Sequence, residues 1–584
     1  MDSVLVANRG EIAVRVIRGA KEMGLRTIAV YSELDRDAAH VRTADEAWNI
    51  GPAPAAQSYL DIASILRVAA QSKAAAIHPG YGFLAENAGF ARRVIEAGLI
   101  WVGPSPDAIT AMGDKIASRR VAEKAGVEGV PGTLEPLHSA AEVRAVAARF
   151  GFPIAIKAAH GGGGKGMRVV HQDSELDSAF EAAGREADAY FKNPEVYVEK
   201  YLERSRHIEA QIILDHHGNG VFLGERDCSM QRRHQKLIEE SPSTALSDRQ
   251  RKALGKAALA IAKAAAYENA GTVEFLLGAN GDLYFLEMNT SLQVEHTVTE
   301  MVTGIDLVRE QLRVAMGEPL SFYEVTPRGH AIEFRINAED PAAGFLPSPG
   351  QISDYSEPGG FGVRVDSGYG AGSAISQYYD NLVSKVIVWG RDREEALSRS
   401  RRALREYTIG GIATTIPFHI AALDLPAFVA GEHHTRTVEE EMDLSVLIQG
   451  PSTRLPEDEE LAERQITVEV GGRRFVVRMW APETGPAPAA AGGRRPAPRR
   501  RPPKLAQAPT TGANSGAVTA PMQGTIVKVH HKAGDRVSAG DPLFILEAMK
   551  MENEVRSPVD GEIVDLRVEP GDRVAGGAVL AIVR

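Results

Sequence analysis

The sequence predicts a multidomain α/β protein that ends in a small all-β barrel, and three observations predict it. Near the N-terminus an apolar strand pattern (Ser3 to Ala7), a helical pattern (Ile12, Val16, Ala20, Met23) and a second strand pattern (TIAVYSELD) alternate, which calls for a parallel sheet. In the middle, Glu274 in GTVEFLL and Glu287 in LYFLEMN sit inside apolar strand patterns joined by the turn Ala279-Asn280-Gly281-Asp282, a hairpin signal. At the C-terminus, APMQGTIVKV from Ala520 is echoed by SPVDGEIVDL from Ser557, and GDRVSAG from Gly534 by GDRVAGG from Gly571, each at an offset of 37 residues. Two copies of short strands separated by Gly-Asp turns make a flattened barrel with a pseudo-twofold.

A chain of 584 residues holds three or four domains with full-sized cores. The 44% apolar and 24% charged content is that of an ordinary globular protein, and a net charge of -11 gives no reason to expect nucleic-acid binding. One cysteine, Cys228, excludes an internal disulfide framework and fits a reducing compartment. MDSVLVANRG lacks a basic n-region with an apolar stretch behind it, and no apolar run is long enough to span a bilayer, so the expectation is a cytoplasmic protein without membrane contact.

In the N-terminal α/β region the first turn lacks a full G-x-G-x-x-G, so a dinucleotide site is not expected. MGDK then ends at Lys115, and IAIKAAHGGGGKGMRVV supplies Lys157, Gly161 to Gly164, Lys165 and Gly166. Consecutive glycines let backbone N–H groups close around an anion while flanking lysines supply charge. Strand patterns on both sides make this a hairpin lid over a nucleotide; no G-K-[ST] opens a helix, so it is not a Walker A loop. His216-His217 precedes Gly218-Asn219-Gly220 and reads as a solvated turn. CSMQRRHQKLIEE, 228 to 240, gathers Arg232, Arg233, His234 and Lys236, and Lys252 to Ala270 reads as an alanine-rich helix. Glu274 and Glu287 can face one side of adjacent strands, and a buried acidic pair needs a cation: Mg²⁺ on ATP phosphates, with Asn289 assisting.

Beyond residue 447 the pattern changes. RQITVEVGGRRFVVRMWAP is a hairpin turning at Gly471-Gly472, too short to be stable alone. Residues 483–516, rich in Pro, Ala and Arg, are linker, with a span of roughly 30 Å as a flexible coil and about 100 Å when stiffened by proline. Lys550 lies between Met549 and Met551 where the two half-repeats meet, so two large apolar side chains flank an exposed turn.

EAMKMENEV between two GDxV half-repeats resembles the biotinyl carrier domain of biotin-dependent carboxylases; lipoyl carriers share the barrel but usually carry Asp-Lys-Ala at the tip. ANRGEIAVR, HPGYGFLAEN, the glycine-rich lid, QVEH at 293 to 296, GHAIEFRINAEDP and FLPSPG resemble biotin carboxylase, and together the resemblance covers residues 1 to about 445 and 517 to 584. It implies a Rossmann-like N-terminal domain over 1–114, an ATP-grasp domain over 115–325 with its lid at about 132–203, and a biotin carboxylase C-terminal domain over 326–447. A short interaction hairpin (448–482), the linker (483–516) and a biotinyl, lipoyl-like carrier (517–584) follow.

The resemblance also implies a site. Lys550 would carry biotin; Lys115, Lys157, Gly162, Gly163, Gly164, Lys165 and Gly166 would hold ATP phosphates. In VYVEKYL and its following Glu203, Glu199 and the backbone around Lys200 and Leu202 would read adenine, with His207 and Gln231 near the ribose and His234 beside them. Lys236 would face phosphate and bicarbonate, and Glu274, Glu287 and Asn289 would hold Mg²⁺ (or Mn²⁺). Glu295 would be the general base on bicarbonate, Gln293 and the Val294 amide would hold that ion, and Arg335 would stabilise the biotin enolate, since a guanidinium faces an oxyanion without giving up a proton. The alternative for Arg335 is an ion pair with Glu333 or Glu339.

Two positions depart from the family pattern: Ser291 stands where arginine is usual and Thr297 where proline is usual. A charge-assisted hydrogen bond contributes about 1.5–3 kcal/mol, so the missing guanidinium is expected to weaken bicarbonate handling about 10- to 100-fold. The expected reaction is ATP-dependent phosphorylation of bicarbonate and carboxylation of biotin on Lys550. A separate carboxyltransferase β subunit would then pass the carboxyl group to acetyl-CoA or propionyl-CoA, or else to 3-methylcrotonyl-CoA, pyruvate or urea. Biotin protein ligase and a homo-oligomeric carboxylase within an α/β hetero-oligomer complete the expected partners. The rival classes are a biotin carrier with an impaired carboxylase, because of Ser291, and an ATP-grasp ligase with a lipoyl carrier.

Overall fold

The computed structural model describes residues 1–133, 135–158, 167–191, 193, 195–447, 461–470, 473–482, 516–521, 524–548, 551–574 and 577–584. The chain divides into two compact units, 1–450 and 451–584.

The first unit opens with a five-stranded parallel sheet in the order Glu46–Gly51, Arg26–Ser32, Ser3–Val6, Ala76–His78, Ile100–Trp101. Helix Gly10–Glu22 lays Ile12, Ala13, Val16, Ile17 and Ala20 into a core shared with Leu307, Val308 and Leu312. The HPGYG turn needs its glycine: Gly80 has φ +66°, and a Cβ there would meet Asn8 Nδ2 at 2.9 Å. That amide donates to the carbonyls of Pro79 and Tyr81.

An eight-stranded antiparallel sheet forms the centre, in the order Leu283–Asn289, Asn269–Leu277, Arg206–Leu214, Gly220–Arg232, Gln235–Ser241, His330–Asn337, Leu382–Gly390, Val363–Ser367. Gln235–Ser241 pairs with His330–Asn337, so one sheet runs through both the ATP-grasp and the C-terminal regions. Their separation at about 325 is a division of the sequence, not of this sheet. A smaller sheet, Arg168–Val170, Ile154–Ala158, Val196–Lys200, carries helices Ala140–Phe150 and Leu176–Phe191 on its core.

One element expectation changes. The alanine-rich helix is Asp248–Ala264, capped by Ser247 and Gln250; Ala266, with φ +47°, lies beyond its end, and Asn269–Leu277 is a strand paired with Arg206–Leu214. Helix Ile416–Ala422 is followed by Pro426–Ala430 and Thr437–Glu441, short turns of helix that bury one or two residues each.

In the second unit, Leu461–Val470 pairs antiparallel with Arg473–Pro482; the expected turn at Gly471-Gly472 and, of the expected linker 483–516, all but Gly516 lie outside the described residues, and the Gly516 carbonyl accepts from the Val583 N–H at 2.7 Å, which ties it to the barrel. The barrel consists of two four-stranded sheets: Ala517–Thr519, Val579–Val583, Gly561–Leu566, Arg536–Val537, and Met551–Arg556, Pro542–Ala548, Gly524–Val529, Arg573–Val574. The half-repeats interleave. Gly524–Val529 pairs with Arg573–Val574 of the second copy, and Arg536–Val537 of the first copy pairs with Gly561–Leu566. Ile526, Leu543, Phe544, Leu546, Ile563 and Leu580 close one core from both copies. Among the described residues no helix is long and apolar enough to cross a membrane.

Candidate active site

A cleft lies between the small lid sheet and the eight-stranded sheet. Lys115, Lys157, Glu199, Lys200, Leu202, His207, Gln231, His234, Lys236, Glu274, Glu287, Asn289 and Gln293 all line it, so the structure brings together most of the site residues expected from sequence. Gly162, Gly163, Gly164, Lys165, Gly166 and Lys550 lie outside the described residues. Arg232 and Arg233 are not among the residues that line it: Arg232 covers the Phe345 ring at 4.8 Å, and the Arg233 backbone N–H donates to Glu439.

At the nucleotide end, the buried Glu199 carboxylate joins Arg119 and Lys157, the latter at 2.5 Å. Burial opposes its charge, yet Lys157 and Arg119 hold the carboxyl below its usual range. Lys115 Nζ stands 3.6 Å from Glu287.

Glu274 and Glu287 are direct cross-strand partners. The expected buried pair is uneven: the Glu274 side chain is 4% exposed and that of Glu287 29%. The reason is position, because Leu283–Asn289 is the edge strand while Asn269–Leu277 is flanked on both sides. Glu274 Oε1 accepts from Asn289 Nδ2 at 2.7 Å and Gln293 Nε2 at 2.9 Å, and Oε2 lies 3.0 Å from His207 Nε2. Two carboxylates and an amide offer the hard oxygen donors that Mg²⁺ takes. Two other acidic clusters, His207-Glu209-Glu274 and Glu209-Cys228-Glu295, have ligand atoms close enough for a metal. Lys236 bonds acids of both, so an ammonium already serves them.

Lys236 Nζ bridges Glu209, Glu274 at 2.9 Å and Glu295 at 2.8 Å. Burial alone would favour its neutral form, but these carboxylates hold it firmly charged. Glu295, 2% exposed, immediately precedes helix His296–Thr303; one oxygen meets Lys236 and the other meets Arg335 Nη2 at 2.8 Å. Burial raises its pKa and Glu209 adds to that, but Lys236, Arg335 and Arg226 outweigh them and leave Glu295 below the usual carboxyl range. It is therefore a charged oxygen with a hydrogen-bonded cation on either side.

Arg335 pairs with Glu295 and, through Nε at 2.5 Å, with Glu239; the alternative partners are otherwise engaged, Glu333 accepting from the Thr297 hydroxyl and Glu339 from Asn381. Burial, with Glu333 and Glu295 nearby, prevails over Arg335 and pushes Glu239 up to about 8. The Val294 carbonyl accepts from the fully buried Lys385 at 2.7 Å, which lies 3.3 Å from Glu11. Both departures from the family pattern are hydrogen-bonded. Ser291 Oγ donates to Glu86 at 3.3 Å, beside the Thr290 N–H at 2.7 Å, and Thr297 donates to Glu333, a bond that proline cannot make.

Sequence reasoning missed Arg119, Glu209, Arg226, Glu239, Lys385 and Glu86. For Glu209 and Lys385 the available signal was a charge inside a strand pattern otherwise apolar, RHIEAQIIL and LVSKVIVWG, where an exposed face would carry more polar partners.

Comparison with known proteins agrees with this geometry. Residues 1–109 match the biotin carboxylase N-terminal domain, 114–323 the carbamoyl-phosphate synthase L chain ATP binding domain, 333–440 the biotin carboxylase C-terminal domain, and 516–583 the biotin-requiring enzyme domain. The chain is 51% identical over 563 residues to the biotin-dependent acyl-coenzyme A carboxylase alpha3 subunit of Mycobacterium leprae, covering 94% of this chain and 93% of the relative. It is 53% identical to a pyruvate carboxylase subunit of Methanothermobacter thermautotrophicus, covering 75% of this chain and 89% of that one. A solved biotin carboxylase domain dimer of the Hydrogenobacter thermophilus 2-oxoglutarate carboxylase, in complex with MgADP, ADP and bicarbonate, superposes with a TM-score of 0.75 at 46% identity, covering 77% of this chain and 99% of that one. The chain thus belongs to the biotin carboxylase family, in the form that carries a biotin-requiring domain on the same polypeptide, as in acyl-CoA carboxylase α subunits.

Proposed function

We propose that the chain uses ATP and bicarbonate to carboxylate biotin held on its own Lys550, and that a separate carboxyltransferase β subunit passes the carboxyl group to acetyl-CoA or propionyl-CoA. Glu295 carries this reading: a buried carboxylate held charged between Arg335 and Lys236, the latter lining the cleft together with Lys115 and Lys157. Such a carboxylate can take the proton of a bicarbonate O–H as its oxygen attacks the γ-phosphorus and ADP leaves, a general-base contribution of about 10²–10⁴ in rate; the carboxyphosphate formed breaks down to CO₂ and phosphate, and the deprotonated biotin nitrogen attacks that CO₂.

Lys115 and Lys157 neutralise charge on the nucleotide side, and Lys236, already among three carboxylates, faces the anion being phosphorylated. Glu274, Glu287 and Asn289 would hold Mg²⁺ (or Mn²⁺), which when bound screens the phosphate oxygens. Arg335, charged at any working pH, offers its fork to the oxygen that gains charge as the biotin nitrogen is deprotonated by the released phosphate.

An acyl-CoA acceptor is favoured because the acyl-CoA carboxylase relative matches 94% of this chain, whereas the pyruvate carboxylase relative stops at 75%. The subunit name of that relative supports a partner subunit; a homo-oligomeric carboxylase within an α/β assembly and a biotin protein ligase acting on Lys550 complete the reading. The functional ranges are those set out from sequence, 1–114, 115–325, 326–447, 448–482, 483–516 and 517–584. A second reading, a biotin carrier with an impaired carboxylase, is favoured by one observation: the Glu86 carboxyl accepts from the Ser291 hydroxyl where the family pattern sets a guanidinium.

Bicarbonate- and biotin-dependent ATP hydrolysis by the purified chain, beside Ser291→Arg, tests both. Native turnover supports the carboxylase; turnover by the variant alone would put the carrier reading first.

A further inference from the structure

One guanidinium that the proposed reaction does not use lies beneath the site. Arg226, in strand Gly220–Arg232, is fully buried. Its Nε and Nη2 donate to Glu209 Oε2 at 3.1 and 3.0 Å. Nη1 donates to Gln211 Oε1 at 2.6 Å and Thr299 Oγ1 at 3.1 Å, and Nη2 also reaches Thr272 Oγ1 at 3.1 Å and Gln293 Oε1 at 2.8 Å.

A guanidinium has five N–H donors and no acceptor, so every group that faces it must present oxygen. This decides which end of the Gln293 amide points where. Oε1 turns down to Arg226, and Nε2 turns to the cleft, where it donates to Glu274 Oε1 at 2.9 Å. The two ends of a primary amide are nearly equal in shape, and the donor-only Arg226 below and the acceptor-only Glu274 carboxylate on the cleft side fix the same orientation. The same guanidinium occupies one oxygen of Glu209 and leaves the other to Lys236.

We propose that Arg226 is a positioning residue that orients the Gln293 amide so that its N–H₂ group, rather than its oxygen, meets bicarbonate. The inference rests on the reading of this cleft as a bicarbonate-activating site. A neutral alternative is that Arg226 only balances the Glu209 charge, and a lysine substitution separates the two. Arg226→Lys keeps a positive charge for Glu209 but replaces the planar fork by one nitrogen, which cannot serve Glu209, Gln211 and Gln293 together.

The test is the steady-state kinetics of bicarbonate-dependent ATP hydrolysis by the full chain for Arg226→Lys, Gln293→Met and the double variant, with thermal midpoints recorded. In Arg226→Lys the KM for bicarbonate rises about 10- to 100-fold, the loss of one N–H donor to an anion, while the KM for ATP stays within about twofold. In the Gln293→Met background the same lysine substitution adds nothing further to the bicarbonate KM.

An Arg226→Lys enzyme with native bicarbonate KM, or a defect that is equally large when added to Gln293→Met, overturns the proposal. If Arg226→Lys does not fold, Gln293→Glu decides: it keeps an oxygen against Arg226 but presents an oxygen to the cleft. Its bicarbonate KM must then rise at least as much as with Gln293→Met, and a native value overturns the proposal. Absence of bicarbonate-dependent hydrolysis in the native chain overturns the functional reading itself, whereas native turnover with an unaffected Arg226→Lys overturns only the positioning role.

Discussion

The carboxylase unit buries charge and the carrier barrel excludes it. Beneath the cleft, Arg226, Glu209, Glu239, Glu333 and Lys385 are all fully buried, each paired or hydrogen-bonded. Among the described residues of the barrel, the buried polar side chains reduce to Ser557, and the rest of the core is aliphatic with Phe544. Removing one member of a buried ion pair costs about 3–5 kcal/mol, because its partner is left uncompensated; an aliphatic core has no such dependence. The carboxylase unit is therefore sensitive to every charge it holds, while the described core of the barrel holds none.

The largest break in that comparison comes from Glu295→Gln. Bicarbonate-dependent ATP hydrolysis falls about 10²- to 10⁴-fold, whereas biotin attachment at Lys550, read by intact mass, is unchanged. A barrel that lost its biotin in this variant would show that the two units are not independent.

Acid should separate the units next. Glu240, buried with His330 and Arg393, has its carboxyl pKa lowered to about 2: burial opposes the charge, and His330 and then Arg393 outweigh it. A depressed carboxyl contributes stability that is complete above its ordinary pKa of about 4.5 and is lost as pH falls towards about 2. Asp227, beside Arg206 and His433, moves in the same direction. Calorimetry from about pH 5 down to about pH 2.5 should show the carboxylase transition dropping while the barrel transition holds; parallel losses would contradict the contrast.

A smaller effect, confined to the barrel, follows from Gly516→Ala. Gly516 has φ +60°, and a Cβ there would lie 1.9 Å from the Val583 carbonyl oxygen. The substitution costs about 1–3 kcal/mol, lowers the barrel's thermal midpoint and leaves ATP hydrolysis with free biotin unaltered. The smallest effect is expected of Thr297→Val, which removes the hydroxyl donated to Glu333. About 1 kcal/mol of carboxylase stability is lost, measured by urea titration, with no change in the barrel.

What could be read from sequence follows the same divide. The 37-residue echo set the barrel's strands and its pseudo-twofold, because local alternation and Gly-Asp turns act over a few residues. The cleft residues were legible as motifs, and the structure brings thirteen of them to one cavity wall. The supporting charges were not. Arg226 meets Gln293 across 67 residues, and Arg335 meets Glu239 across 96, distances over which no period or motif operates. The single sheet through residue 325 was hidden for the same reason, since Gln235–Ser241 and His330–Asn337 pair across a long interval. The helix end at Ala264 was missed because alanine propensity continues to Ala266, and only the strand pairing of Asn269 onward overrides it.

The most direct measurement is incorporation of labelled bicarbonate into the biotinylated full chain in the presence of ATP and Mg²⁺. The account predicts acid-labile label on the protein that requires ATP and vanishes in both Lys550→Arg and Glu295→Gln. ATP-dependent label that persists without Lys550, or a native chain that takes up none, would contradict it.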